Sequence, residues 1–389
     1  MAKNKGGFIG QDGLNAPDSP TGVSATASDG EATISFTAPS DVGGSAITGY
    51  RAQSNDGIGA SGSSSPVTVT GLTNGTSYTF NVWAINAFGY SAPSDASGSV
   101  TPKIPARGLF GGGFSSINNI EYITVDTAGN ATDFGDLTQG RHFLGAASSS
   151  TRAVFAGGQY YDTIDYVTIF STGNATDFGD LSTLRRGLSG CGSSTRAIWG
   201  GGSDSGTRVD TIEYSTIAST GDATDFGDLP QAQEQTASGS SPTRGIIAGG
   251  YGTPTSYQNV ISYVTIASTG NASDFGDTTT NLNAAAGAAN NTRMIIAGGE
   301  SSGAAHNVIQ YVTIASTGNA TDFGDLIDID YGPAGASSEI RAVFAGSFAS
   351  TNAIEYVTIA TTGNSTDFGD LIVGTGWNAG CSSGHGGLS

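Results

Sequence analysis

Asp-Phe-Gly-Asp occurs six times in this 389-residue chain, with its aromatic ring at Phe134, Phe178, Phe226, Phe275, Phe323 and Phe368. Consecutive copies lie 44, 48, 49, 48 and 45 residues apart. A period of that size marks a string of supersecondary units, each too small to bury its apolar face except against its neighbours. Two more landmarks keep step with the signature. A tyrosine precedes every signature Phe by 12 residues (Tyr122, Tyr166, Tyr214, Tyr263, Tyr311 and Tyr356), and an arginine follows the first five by 18 (Arg152, Arg196, Arg244, Arg293 and Arg341). Arg107 opens the first copy. Only the Arg-to-Tyr interval varies, at 15, 14, 18, 19, 18 and 15 residues, so insertions are confined to one loop per copy.

Within a copy, the Arg leads into an apolar run ending in glycines, such as RAVFAGG or RGIIAGG. A variable loop follows, then a run such as IDYVTI, a turn of the type STGN, the ATDFGDL signature, and a small-residue run such as LGAASS. Four short strands per copy make one blade of a β-propeller. The expected fold is therefore all-β, with a six-bladed propeller over residues 105–389 whose blades begin near Arg107, Arg152, Arg196, Arg244, Arg293 and Arg341. The last stretch, WNAGCSSGHG, has the character of an innermost strand. It is expected to pair with RGLFGGG of the first blade and close the ring, which removes exposed edges. That register puts Cys191 and Cys381 at equivalent inner positions, as free thiols.

The glycine doublet after an apolar strand resembles kelch repeats. The kelch Trp is replaced here by the signature Phe, so the repeat is kelch-like and no kelch function is carried over. Composition agrees with short strands and many turns: 61 glycines without a three-residue period exclude collagen, and 12% charged residues are too few for a disordered polyampholyte. A net charge of -19 argues against a nucleic-acid groove, which needs clustered cations. The first residues carry no apolar secretion signal, and no run approaches the roughly 20 apolar residues of a membrane span.

Residues 16–102 read differently, as short alternating runs between Gly, Pro, Ser and Asn turns, which indicates an antiparallel sandwich. Leu72, the turn at Asn74 and Gly75, and Tyr78 ahead of Phe80, Val82 and Ala84 resemble the tyrosine corner of fibronectin type III domains. Phe36 stands where that family usually has a core Trp. About seven strands are expected, ending with a last one at SGSV (residues 97–100). Residues 86–91, with Phe88 and Tyr90, form a loop that a ligand or a neighbouring domain can use.

Antiparallel blades send the variable loops and the connections from signature to inner strand to one face, and the repeated STGN and SSTR turns to the other. Recognition surfaces differ from copy to copy, whereas scaffold positions recur. The candidate binding residues on the variable face are Tyr160, Tyr161, Arg185, Arg186, Tyr251, Tyr257, Tyr331 and Trp377, with Arg141, Asp328 and Asp330 beside them. Rings next to amides and charges suit stacking on a sugar. No catalytic, metal or cofactor site is expected. His142, His306 and His385 lie in three different copies, and the paired Asp133 and Asp136, reproduced in every copy, read as turn scaffold rather than calcium ligands. The sequons at Asn130, Asn174, Asn271, Asn319 and Asn364 read as hairpin chemistry.

The leader GGFIGQDGLNAPDSPTG, the fibronectin-like module and the STGNATDFGDL repeats together resemble structural proteins of tailed bacteriophages, notably those infecting marine cyanobacteria. The resemblance implies a virion surface protein, a tail fibre or a tail- or head-associated appendage. Residues 1–15 would then dock on other virion proteins, the fibronectin-like module would act as spacer, and the propeller would meet a host-surface glycan or protein. A capsid decoration or tail-accessory role is the alternative. A depolymerase is a lesser one, with Asp328 and Asp330 as its carboxylates. No heptad specifies an oligomer.

Overall fold

The computed structural model describes residues 15–159, 161–252 and 257–388. Two compact units divide the chain, Met1–Pro105 and Ala106–Ser389. Residues 1–14 of the expected docking segment lie outside the described residues. Regular structure is strand throughout, apart from one 3-10 turn at Gly386–Leu388.

The first unit is a pair of antiparallel sheets. Thr21–Ser28, Glu31–Thr37 and Val67–Thr70 form one, and Gly59–Gly62, Gly49–Ser54, Phe80–Asn86 and Gly89–Tyr90 form the other. Every second residue of Phe80–Asn86 is buried, as the pleat of a half-buried strand requires. Those side chains meet Ile34, Phe36, Tyr50 and Val69 in one core. The Tyr78 hydroxyl accepts the Thr73 N–H at 3.0 Å, which makes the expected corner, and Phe36 packs on Tyr50 with ring centroids 4.7 Å apart.

Two features of this unit differ from the sequence reading. Gly59–Gly62 is a strand that its glycine-rich sequence concealed. The run at 97–100 is not a regular strand: Tyr78 and Val100 form only an isolated bridge. Serines every third residue take over the edge. Ser91, Ser94 and Ser97 donate their N–H groups to the carbonyls of Ala84, Val82 and Phe80. Their hydroxyls accept the N–H groups of the same three residues at 2.9–3.0 Å. A period of three satisfies the backbone groups of Phe80–Asn86 without the alternation by which a strand is recognised.

Among the described residues the second unit contains six antiparallel sheets, one per copy, five of four strands and one of five, in which Glu300–Ser301 adds a short extra strand, together with two two-stranded ribbons. In the second copy the order from inside to outside is Gly145–Ser148, Arg152–Ala156, Thr163–Thr168 and Thr176–Asp180. The first copy borrows its inner strand: Ala379–Ser382 pairs antiparallel with Arg107–Gly111, with Ala379 opposite Gly111 and Ser382 opposite Gly108. Each of the six apolar clusters of this unit is shared by two successive sheets. The cluster of Phe110, Ile123, Val343, Ile354 and Phe368 joins the last sheet to the first.

The fixed intervals now have a physical cause. Each arginine lies over the tyrosine of its own copy, with the guanidinium 4.2–4.7 Å from the ring centroid. That tyrosine meets the signature Phe edge-on at 5.9–6.1 Å. In the first five copies the guanidinium also reaches the next sheet, as where Arg152 donates to Ile217 O at 2.8 Å. Outer strands are stitched to the following hairpin by main chain: Gly173 N donates to Phe134 O at 2.8 Å and Ala175 N to Asp136 O at 2.7 Å. The turn residue of the hairpin adds its side chain, Asn174 accepting from Asp136 N at 3.1 Å. This stitch recurs around the unit and ends with Asn130 accepting from Asp370 N at 3.2 Å. The sequon asparagines are thus seam clamps, and the second Asp of each repeated pair meets the same seam through its main-chain N–H and carbonyl.

Burial explains the two thiols. Cys191 and Cys381 are free and buried on inner strands, and desolvation pushes both up to about 12.

Candidate ligand-binding face

The residue nine places after each signature Phe turns the chain into the inner strand. These are Phe143, Gly187, Gln235, Ala284, Gly332 and Trp377. All six are left-handed, with φ between 54° and 76°. Their backbones form a closed ring of hydrogen bonds. Gly187 N donates to Phe143 O, Gln235 N to Gly187 O, Ala284 N to Gln235 O, Gly332 N to Ala284 O, Trp377 N to Gly332 O and Phe143 N to Trp377 O, at 2.6–2.9 Å. This ring frames a mouth at the ends of the six inner strands.

Aromatic rings crowd one side of that mouth. Phe143 and Trp377 are 4.3 Å apart, Tyr331 stacks on Phe348 at 4.7 Å, and Phe348 lies 6.0 Å from Trp377 and 5.9 Å from Phe114. His142 closes the crescent against Phe143 at 4.8 Å, its pKa lowered by burial and then by the Arg186 charge. Phe114 and Phe348 remain 43% and 42% exposed, a large apolar surface to present to water. Beneath the mouth, a well of about 80 Å³ is lined by Leu144, Leu188, Thr236, Pro333 and Asn378 among others. At the far end of the axis, His385 lines a separate cavity of about 50 Å³ between the inner strands.

The expected site residues are distributed unevenly. Tyr331 and Trp377 are brought together, at 5.8 Å, within the crescent. Tyr251 and Tyr257 meet edge-on at 5.5 Å elsewhere on the face. Arg208 covers Tyr251 at 4.1 Å, and the Tyr257 hydroxyl donates to Glu300 at 2.7 Å, which raises its pKa. Arg186 lies 5.7 Å over Phe143 and pairs with Glu234 at 3.8 Å. Tyr161 is 36% exposed. Tyr160 lies outside the described residues, as does the side chain of Asp330; Asp328 is exposed.

Arg185 and Arg141 are corrected. Both are fully buried, Arg185 paired with Glu213 and Arg141 with Asp165 at 3.0 Å. A buried guanidinium held by a carboxylate and by the carbonyls of Gly201 and Thr211 is a seam element, not a recognition group. Their acidic partners belong to a wider latch. The residue before each repeated tyrosine accepts the N–H of the segment leaving the preceding signature: Asp165 from Thr138, Glu213 from Ser182, Gln310 from Thr279, Glu355 from Ile327 and Glu121 from Ile372. In the remaining seam the donor position is Pro230, which has no N–H, and the acceptor position is Ser262.

Phe114, His142, Phe143, Phe348 and Asn378 escaped the sequence reading. One signal was available, since counting nine residues from each signature Phe selects Phe143 and Trp377 among glycines, an alanine and a glutamine. Among the described residues no group of three His, Cys, Asp or Glu side chains is placed to hold a metal ion. No curated protein matches the chain. Residues 18–99 match the model of the fibronectin type III domain, and that part of the chain is such a domain.

Proposed function

We propose that the six sheets are the blades of a kelch-like β-propeller, and that the chain is a surface protein of a tailed-phage virion whose variable face binds a host-surface receptor, a glycan or a protein. The observation that carries this reading is the aromatic crescent. Five rings from three copies converge at one side of the axis, on the face where the copies differ. Exposed aromatic surface next to hydrogen-bonding groups is the usual chemistry of saccharide and protein recognition. The likeness of the leader and repeats to phage structural proteins supports the virion setting, and the fibronectin type III domain suits a spacer.

The test is adsorption. Fluorescently labelled chain should bind host cells, and Trp377→Gly should lose at least about tenfold of that binding while melting close to the parent. Glycine already occupies the same left-handed position at Gly187 and Gly332, so relief of strain offsets lost packing. If the parent binds no host cell and particles carrying Trp377→Gly adsorb normally, the reading fails.

The opposite face favours a second reading. Its hairpin turns are nearly the same in all six copies, as suits a support that packs against a symmetric particle surface in a decoration or tail-accessory protein. Density for the chain in a reconstruction of the whole particle, with the repeated face packed against the particle in a symmetric array, would select it.

A further inference from the structure

We propose that the well under the axial mouth is a subsite for the acetamido group of an N-acetylated hexosamine, whose pyranose ring stacks on the Phe143–Trp377 pair. This rests on the reading of the variable face as the ligand face.

Backbone strain is the first observation. Bulky residues rarely adopt left-handed φ, yet Phe143 and Trp377 do so at 59° and 58°. Packing of the ring does not demand them, because glycine and alanine fill the same position in three other copies. Strain retained where a small residue suffices points to a use for the side chains. Trp377 is held in place, its indole lying over Gly332 so closely that a Cβ there would sit 3.1 Å from the ring.

The well supplies the second observation. Leu144 and Leu188 follow the left-handed residue in two copies, and Asn378 holds the same place in the last. Asn378 is only 8% exposed. Neither its Nδ2 nor its Oδ1 has a hydrogen-bond partner, and the same is true of Thr236 Oγ1 and Trp377 Nε1. Buried amides are normally paired, so a donor and an acceptor on one side chain are left for an incoming group. No charged residue lines the well. Arg186 reaches Phe143 from outside it and is paired with Glu234.

The chemistry narrows from there. A carboxylate entering the well would be desolvated with no cation to meet it, which disfavours uronic and sialic acids. An acetamido group is uncharged, carries one N–H and one C=O for the Asn378 amide, and ends in a methyl suited to Leu144, Leu188 and Pro333. Its size fits a space that takes several waters but not a polymer. The rest of the sugar stays at the mouth, against the rings.

The experiment titrates the full chain with N-acetylglucosamine, glucose and glucuronic acid, read by tryptophan emission and by calorimetry. N-acetylglucosamine is expected to bind about tenfold or more tighter than glucose, with glucuronic acid weakest. Asn378→Leu, which installs the residue found at 144 and 188, should fold normally and bring N-acetylglucosamine down to the level of glucose. Equal binding of the two neutral sugars, binding of glucuronic acid at the same strength, unchanged binding by Asn378→Leu, or no binding of any sugar would each overturn the subsite. Adsorption to host cells is measured separately. Cell binding that persists without N-acetylglucosamine binding removes the subsite and leaves the proposed function standing.

Discussion

The amide of Phe143 donates to the carbonyl of Trp377 at 2.9 Å, joining the second copy of the repeat to the last. It is the bond that closes a six-membered circuit, and just beyond Trp377 the chain pairs Ala379–Ser382 with Arg107–Gly111 as the inner strand of the first sheet. Both contacts belong to the seam where the C-terminal segment meets the start of the repeats.

Removal of residues 379 onward should open that seam. Arg107–Gly111 would become an unpaired, apolar inner edge, and such edges recruit other chains. The expected outcome is loss of the cooperative melting transition of the second unit and appearance of aggregates in size-exclusion chromatography. A truncated chain that stays monomeric and melts at the parent temperature would disprove the importance of closure.

Gly227→Ala should destabilise by about 1–3 kcal/mol, from backbone strain and a displaced neighbour. The signature glycine has φ of 147°, and a Cβ there would lie 2.5 Å from the Gly270 carbonyl carbon of the next hairpin. Urea unfolding reads the loss. Alanine at Gly221, at the tip of a hairpin where a Cβ meets nothing within 4 Å, separates the contact from the φ cost alone.

Glu121→Gln should raise stability at pH 7. Burial lifts the Glu121 carboxyl above its ordinary range, against the N–H bonds from Ile372 and Val373 that lower it. An acid with a raised folded pKa contributes stability that is fully present below its unfolded value and lost as pH rises through the folded one. Glutamine keeps an acceptor without the charge, as Gln310 does for Thr279 N at 2.8 Å. The advantage of the variant should shrink as pH falls toward 4.5. Melting curves from pH 4 to 8 decide it, and a pH-independent difference would contradict the assignment.

Both cysteines should resist thiol reagents in the folded protein at pH 8 and react in denaturant. With pKa values near 12, the thiolate fraction at pH 8 is about one in ten thousand. Ellman titration should count none before unfolding and two after. Fast native reaction at either residue would show that an inner strand opens.

How much of this was legible in the sequence depends on distance along the chain. The Arg, Tyr and Phe landmarks recur because each stacks on the next within one sheet, so their spacing exposed the repeat and the sheet order. The closing strand was legible for the same reason, since small residues at 379–382 match those at 145–148. Arg185 was misplaced because a guanidinium in a polar connection looks exposed until Glu213, from the following copy, is brought beneath it. The crescent was only partly visible. Tyr331 and Trp377 stood out as large rings in variable loops, but nothing local says that Phe114 and Phe348 meet. In the first unit the serine edge was missed because its period is three, whereas strands are sought with a period of two.

The proline at 230 and the serine at 262 carry a consequence for how such an array can change. Every other seam matches an N–H on one copy with an acceptor on the next, and this seam lacks both the donor and the larger acceptor. A duplicated or transplanted copy would bring one half of that match to a neighbour holding the other kind. The heritable module of this array is thus the boundary between two copies, and recombination in the repeated hairpin turn, which lies between the acceptor of one seam and the donor of the next, leaves every such match intact.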